Sequence, residues 1–169
     1  GVTMLNSRLA EIRQQANPPF TGASAGYGDF FVAKTKNAFG VDASSKIDGI
    51  ELAMKTILEE TERARRFGFT ETEYDRARAN YLQRVESAYN EREKMKNDTY
   101  VNEYISNFLD NEPMPGIEYE YAMMNQLAPN IPVAAINQVM QQLITDNNQV
   151  VLLAGPEKEG VKYPTKEEI

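Results

Sequence analysis

Leu5, Leu9 and Ile12 recur at the three-to-four-residue interval of a helix, and the spacing predicts a helix over residues 4 to 16 that Pro18-Pro19 must end. The period then changes. From Phe20 to Val32 the chain is rich in small residues and aromatics (Thr21, Gly22, Ala23, Ser24, Ala25, Gly26, Tyr27, then Phe30 and Phe31), and a second apolar stretch runs from Ala38 to Ala43. With Lys34-Thr35-Lys36-Asn37 as a polar turn, this pattern predicts a β-hairpin. Gly22 and Gly26 weaken an ordinary strand, so they mark either a bulge or tight packing, or a place where a second backbone approaches closely.

Helical periodicity dominates the rest. Ser45-x-x-Asp48 is a capping-box variant that would open a helix with Ile47, Ile50, Met54, Ile57 and Leu58 as its buried stripe and Gly68 as its stop. Thr70-x-x-Glu73 is a full capping box, and Tyr74, Ala77, Tyr81, Val85, Ala88 and Tyr89 line one face of the helix it starts. The stripe is diluted at residues 91 to 98, predicting a bend there, resumes at Tyr100, Val101, Tyr104, Ile105, Phe108 and Leu109, and stops at Pro113-Met114-Pro115-Gly116. A shorter helix is predicted over Tyr119 to Leu127, and Pro132 opens another through Ile136, Val139, Met140, Leu143 and Ile144 that Asn147-Asn148 breaks. Val150-Val151-Leu152-Leu153 is too short for a helix and suits a strand covered on both faces. One domain over residues 1–156 and a charged linker over 157–169, directed towards a following domain, account for the whole pattern.

Composition narrows the chemistry. The 169 residues include no His and no Cys, which removes the side chains of nearly every zinc site, catalytic triad and thiol mechanism. A formal charge of -7, from 18 basic against 25 acidic residues, repels nucleic acid and anionic membranes. No apolar run approaches the roughly 18 residues of a membrane span. The chain opens without a leader or initiator Met, as if cut from something longer. Carboxylates at helical spacing, such as Glu59 near Arg63 or Glu86 near Glu93, read as solvated ion-paired faces. Arg63, Arg65 and Arg66 complement a helix C-terminus. Tyrosines 74, 81, 89, 100, 104, 119 and 121 fit packing with hydroxyls at the rim, or a stacking surface.

Four segments in order carry a resemblance: Leu5-Asn6-Ser7-Arg8-Leu9-x-Glu11-Ile12-Arg13, Gly22-Ala23-Ser24-Ala25-Gly26-Tyr27, Gly68-Phe69-Thr70-x-x-Glu73, and Val150-Val151-Leu152-Leu153-Ala154-Gly155-Pro156-Glu157. Together they resemble the non-catalytic second domain of the insulinase/pitrilysin (M16) zinc metallopeptidases, from Met4 to about Pro164. The resemblance implies an α+β fold with helices packed on one side of a small mixed β-sheet, truncated at the N-terminus by a strand and the front of a helix. In that family zinc is held in the first domain by an inverted His-x-x-Glu-His motif and a downstream Glu, and this chain has no such motif. Zinc is therefore expected in the catalytic domain of a parent protein, with no cofactor, metal ligand or catalytic residue in this chain.

Some family domains carry an Arg, and a Tyr seven residues later, that hold substrate near the metal. Arg13 matches the Arg, but Phe20 stands at the Tyr position and has no hydroxyl to donate. Arg13, Phe20, Gly22, Ser24 and Gly26 are the candidate substrate-binding residues, with an ordinary surface or capping role for Arg13 as the alternative. The expected function is that of a structural, substrate-enclosing domain of a zinc metalloendopeptidase, inactive by itself, whose partners are the catalytic M16 domain and the peptide substrate. A missing family strand would leave an exposed edge, so self-association is also expected. The rival is a free-standing protein-interaction module using its Tyr-rich helical face.

Overall fold

A computed structural model of the chain describes residues 1–30, 33–94, 101, 104–105, 107–108, 113–156 and 163–165. They divide into two compact units: Gly1–Thr70 with Ala134–Ile169, and Glu71–Val133.

In the first unit, helix α1 spans Val2–Arg13 and buries Met4, Leu5 and Leu9. It ends three residues earlier than the sequence implies, and Ala16 and Asn17 lead exposed into Pro18-Pro19. Strands β1 (Gly22–Phe30) and β2 (Ala33–Ser44) pair antiparallel, with Ala25 opposite Val41 and Gly26 opposite Gly40. Lys34 to Asn37 belong to β2 and are not the turn; the strands are separated by residues 31–32, which lie outside the described set. Polar residues are tolerated there because this end of the hairpin is exposed at Lys36 and Asn37.

Side chains alternate between the faces of a strand. Ala23 and Ala25 with their partners Ala43 and Val41 fall on one face, where Ala25 is buried, and α1 packs against β1. Helix α2 (Ile50–Phe67) packs against β2. It is not opened by the Ser45 box. A 3-10 turn over Ile47–Gly49 precedes it, and the Ser45 hydroxyl donates to the Lys46 carbonyl at 2.9 Å. Its buried stripe is Ala53, Ile57, Glu60 and Ala64, leaving Ile47 and Leu58 exposed. The stripe follows the helical spacing and keeps the expected Ile57 at its centre, with Ile50 and Met54 half-buried beside it and small alanines at the other buried positions.

The α2 stop is Gly68, whose φ of 68° and ψ of -154° lie in a region essentially restricted to glycine. Phe69, buried, follows it, and the Asn137 carboxamide grips its backbone: Phe69 N–H donates to Asn137 Oδ1 at 2.8 Å, and Asn137 Nδ2 donates to the Phe69 carbonyl at 3.1 Å. Arg8 reaches the same corner from α1, donating to the Gly68 carbonyl at 3.0 Å with its guanidinium 4.7 Å from the Phe69 ring centroid.

Val150 to Leu153 form no strand. Val150, Val151 and Leu152 are 70%, 57% and 73% exposed. Apolar content alone does not make a strand, because the backbone needs a neighbour to pair with, and the described sheet consists of β1 and β2 alone. That sheet is accordingly antiparallel, without the parallel component of a mixed one.

In the second unit, α3 (Glu71–Glu91) starts where the Thr70 box places it and ends in a 3-10 turn over Arg92–Lys94. Helix α4 (Ile117–Leu127) packs against α3. The Tyr89 and Tyr121 rings stack 4.4 Å apart, Arg92 lies 4.3 Å over Tyr89, and the Tyr81 hydroxyl meets Glu120 at 3.0 Å. Helix α5 (Val133–Leu143), which belongs to the first unit from Ala134 onward, begins directly after Pro132, as expected, and buries Met140. Residues 95–98 of the predicted bend lie outside the described residues, as does most of 157–169.

Replacing Gly68 by Ala forces a disfavoured backbone conformation and drives a Cβ into the Asn137 carboxamide. We expect Gly68→Ala to destabilise the fold by about 2–4 kcal/mol, read as a lower urea midpoint. Gly49→Ala, whose Cβ would meet only ordinary contacts at 3.7 and 3.8 Å, should stay within about 0.5 kcal/mol. Equal losses would contradict the corner's special role.

Candidate functional site

The second face of the hairpin is the notable surface. Two-residue periodicity places Gly22, Ser24, Gly26 and Gly28 of β1 beside Ser44, Asp42, Gly40 and Ala38 of β2. No side chain in this group is larger than aspartate. A Cβ built on Gly22, Gly26, Gly28 or Gly40 would meet nothing within 4 Å, so no other described part of the chain covers these positions. Ser24 is tied to Asp42 by a 2.8 Å hydrogen bond from its hydroxyl to the carboxylate. The result is a flat strip of accessible backbone with one carboxylate, suited to close approach by an extended chain.

The edge of β1 is treated differently. Asn6 of α1 donates to the Ala25 carbonyl at 2.9 Å and accepts from the Ala25 N–H at 2.7 Å. One carboxamide thus supplies both bonds that a residue of an adjoining strand would make. This clamp fixes β1 on α1 and closes the edge at that point. Tyr27, two residues on, is 51% exposed.

The candidate residues therefore divide. Gly22, Ser24 and Gly26 share the open face. Phe20 is only 2% exposed, so its ring fills the core and presents nothing to a ligand. Arg13 is exposed at the C-terminal end of α1, where its charge complements the helix dipole. Asn6 and Asn137 were missed by sequence reasoning; each reads as a polar residue on an amphipathic helix, and nothing local betrays a backbone partner 19 or 68 residues away.

The arginine cluster is neutralised. Arg63 pairs with buried Glu60 at 3.2 Å, Arg65 with Glu62 at 2.6 Å and Asp146 at 3.6 Å, and Arg66 with Glu62. Hydrogen bonds from Arg65 and Arg66 pull the Glu62 carboxyl down to about 2. Such pairing leaves little charge for a phosphate ligand. Among the tyrosines, Tyr74 donates to the Ile131 carbonyl at 2.7 Å and Tyr81, Tyr89 and Tyr121 join α3 to α4, whereas Tyr104 and Tyr119 are exposed. Tyr100 lies outside the described residues.

The donor set does not fit zinc: the sequence offers no imidazole or thiolate, and no group of three acidic side chains converges among the described residues. Nor is any described helix long and apolar enough to cross a membrane.

No family model matches the chain. It is 30% identical over 147 residues, 87% of its length, to an Arabidopsis thaliana protein named zinc protease PQQL-like, of which it spans 12%. Among solved structures it superposes on the first half of the periplasmic protease PqqL from Escherichia coli with a TM-score of 0.74 at 20% identity, covering 84% of this chain and 30% of that one. A predicted insulinase family protease from Yersinia pestis gives a TM-score of 0.67 at 13% identity, covering 83% and 30%. The helix-rich fold with its small sheet is thus that of insulinase-type protease halves, as the four sequence segments implied.

Removing the Asn6 carboxamide strands both Ala25 backbone groups. Asn6→Ala should cost about 2–3 kcal/mol, while Arg13→Ala should change stability by less than about 0.5 kcal/mol. Chemical denaturation of both variants checks this, and an unchanged Asn6→Ala midpoint would show that the clamp is dispensable.

Proposed function

Starting from an M16-like protease fragment, we propose that this chain is a non-catalytic wall domain of a zinc-dependent metalloendopeptidase, enclosing peptide substrate. The observation that carries the reading is the uncovered small-residue face formed by Gly22, Ser24 and Gly26 with Gly40 and Asp42. An extended peptide needs close access to backbone, and side chains of this size leave it. Along the β1 edge, strand addition would begin beyond the Asn6 clamp, at Tyr27 and Asp29, which share the orientation of Ala25 by the strand period. Phe20 serves as core support beneath the strand, and Arg13 as a flanking charge. The chain spans a small part of its relatives, so the catalytic M16 domain and its zinc would be supplied by the rest of a parent protein, the domain over residues 1–156 being the unit that docks against it and 157–169 the connection onward.

The exposed run Val150 to Leu152 supports a second property of the isolated chain, self-association. Unpaired, β-branched, uncharged segments recruit other strands. Sedimentation of the isolated chain should show reversible oligomers that a charged substitution, Val151→Lys, abolishes. The same preparation should cleave no peptide and retain no zinc after dialysis. A strictly monomeric chain would refute the self-association, and one retained zinc per chain would refute the metal-free role.

The wall reading is tested in the intact parent protease. Ser24 is exposed on the open face, so Ser24→Phe should leave the melting temperature nearly unchanged while raising KM for peptide about tenfold, equivalent to about 1.4 kcal/mol. Glu59→Ala, on an exposed turn of α2, should alter neither. Normal KM with a lost fold would assign the strand to packing alone.

A further inference from the structure

We draw no further inference here: the strongest candidate, the apolar row of exposed Tyr119 and Leu127 with half-buried Met123 on α4, is an unpartnered helix face, and nothing in the structure shows what covers it.

Discussion

The backbone of Phe69 is the point on which the first unit depends. Its N–H and carbonyl are both held by Asn137, its ring lies under the Arg8 guanidinium, and the preceding Gly68 supplies a conformation that essentially only glycine adopts. Residues from α1, from the end of α2 and from α5 therefore converge on one dipeptide. Each hydrogen bond contributes only about 1 kcal/mol net. Their effect is larger as a constraint, because a buried dipeptide gripped at its polar groups stops α2 and ties interior residues of α1 and α5 to the same point.

The hairpin inherits its position from this corner through α1. Leu5 and Leu9 face the core, Arg8 reaches Gly68, and Asn6 grips Ala25 from the same helix. Burying two leucines contributes roughly 1.5–3 kcal/mol each, while the carboxamide decides register and orientation. One consequence bears on the proposed function. With its inner face turned to the helices, the hairpin leaves its glycine-rich face uncovered by the other described residues, and the small side chains there keep the backbone accessible. Stability and access are thus assigned to opposite faces of the same two strands.

Much of this was legible in the sequence wherever a single residue type has one physical use. Gly68 had to be a stop, Thr70 a start and Pro132 the opening of a helix, and each is so. Order and spacing of four short segments carried the resemblance to the M16 proteases. Less legible were features set by tertiary partners. The buried stripe of α2 includes Ala53 and Ala64, whereas Ile47 and Leu58 looked more apolar and are outside. Asn6 and Asn137 act on backbone far along the chain, which no local pattern encodes. Val150 to Leu152 have strand composition but no described neighbour to pair with. Within the candidate site, the small-residue strip was visible as Gly22 to Gly26, but that Gly40 and Asp42 complete it emerged only from the register.

Under the proposed function, peptide would pass across the open hairpin face. Site-specific photo-crosslinking in the proposed parent protease examines this, with a photoreactive side chain placed at Gly26 or, as a control, at exposed Lys55 of α2. A labelled, uncleaved peptide should be captured at Gly26, in competition with unlabelled peptide, and not at Lys55. Equal capture at both positions, or none at Gly26 in a folded and active enzyme, would contradict it.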